Sequence, residues 1–392
     1  MVIANTQTKL KRPEPQQQSL SKVVNTLQTK LGTHLTMIQS ALTATEFRLN
    51  QTMIENINKY EMLTKAIESR LNQTMIEIEN RLISKIEEII PEIPAKAEWA
   101  QYGVTVAGGT ERGNATNQLG TPRGLFVDDD QTIVIADSSN NRIVQWKVDD
   151  TNGQIVAGGN GHGTRLDQMK YPVDVLIDKE TDSLIICDQD NRRVVRWSRR
   201  NDTKQGEILI GNIDCYGLAI DDQKHLFVSD YDKDEVKRYQ IGDKNGTLVA
   251  GGNGEGNGLN QLKEPTYIFV DQQQTLYVSD RGNHRVMKWN KGATEGIVIA
   301  GGQGSGSALT QLNWPQGLFV DTLGTVYVTN YMNDRVVRWP KGAEQGTVIL
   351  GGNGNGKRAN QFDGPIGLAF DRHGNLYISD SSNNRVQRFS IQ

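Results

Sequence analysis

Cysteine is almost missing from these 392 residues: Cys187 and Cys215 are the only two, and neither belongs to a C-x-x-C pair. That spacing excludes a zinc-binding RING or B-box built from this chain, and it gives no expectation of a disulfide framework. Long apolar runs are missing as well. No stretch approaches the roughly 18 residues of a membrane-spanning helix, and the opening MVIANTQTKLKRPEPQQQ has no apolar run of signal-peptide length. The expectation is a cytoplasmic protein with no membrane segment. Five N-x-T sequons, at Asn50, Asn72, Asn114, Asn201 and Asn245, point the other way, but a chain this rich in Asn and Thr makes such triplets by chance.

Charge of one sign is also lacking. The net charge is −3, with 11 basic and 10 acidic side chains before residue 95 and 32 and 36 after it. Nucleic-acid-binding domains are usually clearly basic, because phosphate neutralisation dominates their affinity. Histidine is sparse: His34, His162, His225, His284 and His373 form no three-ligand zinc set and no Ser-His-Asp constellation. The reading is therefore no catalytic residues, no metal and no cofactor.

Between residues 17 and 90 there is one glycine, Gly32, and no proline, whereas Pro91 and Pro94 follow at once. A helix of that extent is about 110 Å long. Its apolar residues recur at eleven: Leu27, Ile38, Leu49, Tyr60, Leu71 and Leu82 in one series, Leu31, Leu42, Met53, Met75 and Ile86 in another, interrupted by Thr64. RLNQTMIE occurs at Arg48 and again at Arg70. Eleven residues in three turns give a nearly straight or weakly right-handed seam, hence a coiled coil and self-association. The domain expectation is a disordered tail over 1–16, a helical coiled coil over 17–90, a linker over 91–98 and a second domain over 99–392.

That second domain is where the glycine lies. GGNGNGK, from Gly351 to Lys357, fits the G-x-x-x-x-G-K pattern of phosphate-binding loops. Related loops begin at Gly108, Gly158, Gly251 and Gly301, and in place of Lys357 they carry Asn114, Thr164, Asn257 and Ser307. Arg358 stands where Ser or Thr must hold magnesium, so these are repeat loops, not nucleotide sites.

Each loop belongs to a unit of four short β-branched runs separated by Gly, Asn and Asp turns. The units are marked by Pro122, Pro172, Cys215, Pro265, Pro315 and Pro365, a period of 50 except for one 43-residue unit whose glycine loop is deleted. Six such units predict a mainly β chain folded as a six-bladed β-propeller, closed by pairing of 103–107 with 385–389. An Asp and an Arg five residues apart recur as Asp137 with Arg142, Asp188 with Arg193, Asp280 with Arg285 and Asp380 with Arg385. Repetition around a ring argues for a structural turn, not a catalytic dyad. One aromatic per unit, Trp146, Trp197, Tyr239, Trp289, Trp339 and Phe389, reads as packing between blades.

What breaks the repeat is the better guide to a site. At P-x-G, Asp174 and Tyr267 replace glycine, Trp314 precedes its proline, and the variable middle position holds Arg123, Tyr216 and Gln316. The turns on the same face carry Tyr231, Arg281 and Tyr331, and Lys357 and Arg358 lie in the last glycine loop. Aromatic anchors with arginine are the composition of binding hot spots. These eleven residues are the candidate binding face.

PIGLAFDRHGNLYISDSSNNRVQRF, Pro365 to Phe389, resembles the NHL repeat, and the resemblance extends over about residues 103–390. It implies a six-bladed propeller. The order of coiled coil then propeller is similar to that of tripartite-motif proteins, although their RING and B-box modules have no counterpart here. Relatives of that kind bind RNA through a basic face, and another, the peptidyl-hydroxyglycine lyase, uses histidine-bound zinc in its channel. The resulting expectation is a non-enzymatic scaffold, a coiled-coil oligomer presenting propellers that bind a protein or peptide through the loop face. An RNA-binding propeller and a metal-dependent lyase or lactonase-like hydrolase are the alternatives.

Overall fold

The computed structural model describes residues 14–49, 67–77, 93–200 and 203–392. It divides into two compact units, Met1–Glu88 and Ile89–Gln392, each taken by itself below. In the first, Glu14–Leu49 is a single α-helix and residues 67–77 are helical. Thr26, Thr29, Thr33, Thr36 and Thr43 each donate their hydroxyl to the carbonyl four residues back, so these polar side chains are satisfied on the helix itself. The apolar side chains are not covered: Val24, Leu31, Leu35, Met37, Met75 and Ile76 are exposed. Tyr60 and Leu82, and with them the middle and end of the expected 17–90 helix, lie outside the described residues.

The second unit is a ring of six four-stranded antiparallel sheets. Blade 1 runs from an inner strand, Pro122–Val127, through Ile133–Asp137 and Arg142–Trp146 to an outer strand, Gln154–Gly158. Blades 2 to 5 repeat this order over residues 172–211, 215–251, 265–301 and 315–351. Blade 6 takes Pro365–Phe370, Leu376–Asp380 and Arg385–Phe389 from the chain's end and Val104–Gly108 from its beginning. Val104 pairs opposite Arg388 and Gly108 opposite Arg385, so the ring is closed by main-chain hydrogen bonds and gains an outer strand where an open edge would stand. Ile93 and Ala97, in the stretch expected as a linker, and Trp99, which follows it, are buried in the core that includes Phe370 and Phe389, and the Trp99 indole donates to the Gly374 carbonyl.

The repeated Asp and Arg form a clamp. Arg142 Nε donates to Asp137 Oδ2 at 2.7 Å, while its terminal nitrogens donate to the carbonyls of Asn114, Ala115 and Gln118 in the glycine loop. Asp137 Oδ1 accepts from the Gly120 N–H and Oδ2 also accepts from Asn140. Blades 2, 4 and 6 repeat the pair at 2.6–2.7 Å, with both partners buried. The loop's backbone carbonyls thus find charged donors away from water. Blade 5 carries Asn330 in place of the acid, and there Arg335 Nε and Asn330 Nδ2 are buried without partners.

Near the axis the blades meet backbone to backbone. A Cβ at Gly217 would lie 2.5 Å from the Thr266 carbonyl oxygen of the next blade, which is why P-x-G ends in glycine. Further out, Ser229, Ser279 and Thr329 each donate a hydroxyl to a carbonyl of the following blade at 2.6–2.7 Å. Cys187 occupies the equivalent position in blade 2, and Cys215 begins blade 3. The two are joined in a disulfide with Cα atoms 5.7 Å apart. This corrects the expectation drawn from their spacing: the bridge spans a seam between blades, a proximity that local sequence patterns do not encode. It staples the one seam that lacks a glycine loop.

Candidate binding face

Every inner strand begins at the same end of the ring, and in five of the six blades, all but blade 3, the residue leading into it has a left-handed backbone. Thr121 (φ 56°), Tyr171 (54°), Glu264 (50°), Trp314 (55°) and Gly364 (61°) occupy this position. Their N–H groups are held by side chains at the end of the preceding blade's turn: Asn384, Asn141, Asp234, His284 and Asp334 respectively. Left-handed φ costs a bulky residue of order 1 kcal/mol that glycine avoids, and such strain collects at ligand-binding sites. Keeping Tyr171 and Trp314 here sets two large rings on the loop face. His284 accepts the Trp314 N–H through Nδ1 at 3.3 Å; burial, and secondarily Arg281, push the imidazole pKa down, favouring the neutral acceptor form.

Inside this end, side chains from non-neighbouring blades meet across the axis. Arg123 of blade 1 donates to the hydroxyl of Tyr216 in blade 3 at 2.9 Å, and Tyr216 donates to Gln316 of blade 5 at 3.1 Å. Tyr267 of blade 4 donates to the Val173 carbonyl of blade 2 at 3.1 Å. These contacts plug the channel mouth. Tyr216, Tyr267, Gln316 and Asp174 are accordingly buried, not offered on the surface as sequence reasoning anticipated; residues that replace glycine near the axis have only the channel to fill. Asp174 accepts from the N–H groups of Val175 and Leu218. Burial raises its pKa to about 7, because two backbone donors do not compensate the loss of water.

Above the plug runs a continuous arc of rings and guanidiniums. Arg123 lies over the Tyr171 ring at 4.7 Å and donates to its hydroxyl at 2.9 Å. Tyr216 stacks on Tyr231 at 5.6 Å, and Tyr231 accepts from Arg281 at 2.8 Å. Arg281 sits 3.9 Å over Trp314 and pairs with Glu264; Trp314 stacks on Tyr331 at 6.2 Å. A Cβ on Gly364 would approach Tyr331 to 2.8 Å, so glycine at this one left-handed position makes room for the last ring. Arg123, Tyr171, Tyr231, Arg281, Trp314 and Tyr331 are all half-buried, with one side toward solvent.

Lys357 and Arg358 belong to a different place. Both are exposed, and their carbonyls accept from Arg385 at the outer part of blade 6, beside the Ala359 carbonyl that accepts the Gly103 N–H. Two residues of the arc escaped the sequence reading, Tyr171 and Glu264. Their signal was present, since each precedes a proline as Trp314 does. Among the described residues no group of three or more His, Cys, Asp or Glu is arranged to hold a metal ion.

The segment that carries the last blade also matches a known repeat. Residues 362–389 are an NHL repeat. No curated protein matches the chain by sequence. Among solved structures, the chain is similar to a structural genomics protein of unknown function from Bacteroides thetaiotaomicron (TM-score 0.60, 15% identity, 75% of this chain and 77% of that one). It is also similar to a gluconolactonase from Xanthomonas campestris (0.52, 16%, 78% and 99%) and to a streptogramin B lyase (0.51, 10%, 74% and 98%). At such identities the likeness is one of fold alone. No helix among the described residues is long and apolar enough to cross a membrane.

Proposed function

We propose that the NHL propeller is a non-enzymatic recognition module that binds a protein or peptide through the arc from Arg123 to Tyr331. The observation that carries this reading is Trp314: a large, half-buried ring held at φ 55°, where a sister blade uses glycine, with Arg281 stacked on it. The backbone there costs a tryptophan strain that glycine avoids. The lyase and lactonase readings, which similar folds keep in view, are disfavoured by the plug of Arg123, Tyr216, Gln316 and Tyr267 where a substrate would enter the channel. Polyanionic RNA is disfavoured by the carboxylates of Glu264, Asp214 and Asp232 around the same face.

The exposed apolar stripe on Glu14–Leu49 supports self-association, which would give several propellers on one assembly and raise apparent affinity by about 10²–10⁴ where geometry allows. Disulfides persist in oxidising surroundings, so Cys187–Cys215 favours such a compartment over the cytoplasmic one expected from sequence. Peptide display on the full chain tests the binding reading. Selected peptides should lose affinity for Trp314→Ala and Tyr331→Ala variants and keep it for Lys357→Ala. A set of binders indifferent to the first two variants places recognition elsewhere, and RNA binding that weakens steeply with salt would favour the alternative.

A further inference from the structure

Arg123 differs from the four clamp arginines that face an acid. Arg142, Arg193, Arg285 and Arg385 each face a carboxylate at 2.6–2.7 Å. Arg123 has no carboxylate within ion-pair distance among the described residues; its partners are the neutral hydroxyls of Tyr171 and Tyr216. Its Nε is buried and unpartnered. A guanidinium has five N–H groups, of which two are used here. The guanidinium lies over the rings of Tyr171, at 4.7 Å, and Tyr216, at 5.5 Å, and Tyr231 stacks on the second of these.

A half-buried cation without a counter-ion is costly unless an anion arrives, and arginine's planar fork matches a carboxylate. The nearest acid on the plug, Asp174, is occupied by two backbone donors, and its burial disfavours the charged form, raising its pKa to about 7. Size and charge of the missing anion are bounded by the surroundings. Of the two arginines of the arc Arg123 alone lacks a carboxylate, since Arg281 already pairs with Glu264. Asp214 and Asp232, linked to Arg192 at the notch, would repel a multiply charged group.

We propose that Arg123 is a carboxylate-recognition site, and that the bound peptide places a carboxylate on its free N–H groups with a neighbouring apolar or aromatic side chain against Tyr171 and Tyr231. The inference rests on the peptide-binding reading and adds to it the chemistry of the anchoring group. The carboxylate comes from a C-terminus or from an acidic side chain, and the two sources are separable.

The test uses the full-length protein and three synthetic arrays of N-acetylated peptides: free C-termini without Asp or Glu, amidated C-termini with one internal Asp or Glu, and amidated C-termini without acids. One or both carboxylate-bearing arrays should bind about 10- to 100-fold more tightly than the neutral one, the range of a charge-assisted pair. Arg123→Gln should abolish that preference while leaving weak binding of neutral peptides, and Arg123→Lys should restore part of it. Which array binds names the source. Equal binding by the neutral array, or a preference that survives Arg123→Gln, overturns the carboxylate site but leaves the peptide reading intact. Binding by none of the arrays overturns both, and Arg123-dependent binding of an oligouridine probe reassigns the anion as phosphate and overturns the proposal.

Discussion

Two rings of side chains occupy the same end of this propeller and obey opposite rules. The outer ring, the Asp–Arg clamps, repeats in four of the six blades, where it buries both charges against loop carbonyls, and departs only in blade 3, with Asp230 and Glu235, and blade 5, with Asn330 and Arg335. The inner ring, at and before P-x-G, has a different residue in almost every blade and accepts backbone strain to present it. Sameness marks what holds the sheets in register; difference marks what faces a ligand. The contrast is energetic as well as visual, because removing a clamp residue uncovers a buried charge, whereas removing an arc residue exposes surface that is already half open.

The comparison can be broken at its strongest point first. Asp280→Ala leaves Arg285 buried without its partner and should cost about 3–5 kcal/mol in unfolding free energy by urea titration, with little change in peptide affinity. A cost below about 1 kcal/mol would mean the clamps are not what holds the loops. At the stapled seam, Cys187→Ser opens a cross-link between residues 28 apart in sequence, and should cost about 3 kcal/mol, since the hydroxyl recovers only the hydrogen bond its sister blades make. If the variant matches the wild type under reducing and non-reducing conditions alike, the bridge does not stabilise the seam.

The inner ring offers a pH signature. The folded-state pKa of Asp174 is raised to about 7, above its ordinary value, so its contribution is fully present below about pH 4 and is lost as pH rises toward 7. Relative to wild type, Asp174→Asn should remove a slope of at most about 1.4 kcal/mol per pH unit in that window. Parallel stability curves for the two proteins would contradict a buried, protonatable acid in the plug. The smallest effect is a gain: Asn330→Asp restores the missing acid opposite Arg335 and should stabilise blade 5 by about 1 kcal/mol, read as a shift in the urea midpoint.

Much of this was legible in the sequence. The 50-residue period, the four runs per unit and the spacing of Asp and Arg are local patterns, and the short β-branched runs between Gly, Asn and Asp turns translate directly into blades. The arc was half legible: variability at and before P-x-G identified Arg123 and Trp314, and the turns after the second strands identified Tyr231, Arg281 and Tyr331, because a scaffold has no reason to vary there. Depth was not legible. Whether Tyr216 or Tyr267 reaches outward or across the axis depends on blades two apart in the ring, and no spacing along the chain reports that distance. The Cys187–Cys215 bridge was hidden for the same reason. Left-handed backbone before proline was also invisible, since proline ordinarily pushes its predecessor toward extended conformations.

The most direct test of the division between the two rings is Trp314→Gly, measured for both stability and affinity toward peptides selected on the wild type. Glycine relieves the strain at φ 55° while removing the ring. The account predicts an unfolding free energy unchanged or raised within about 1 kcal/mol, together with an affinity loss of about tenfold or more. A variant that loses several kcal/mol of stability and binds its peptides as before would show that Trp314 is scaffold, and that the arc is not the recognition surface.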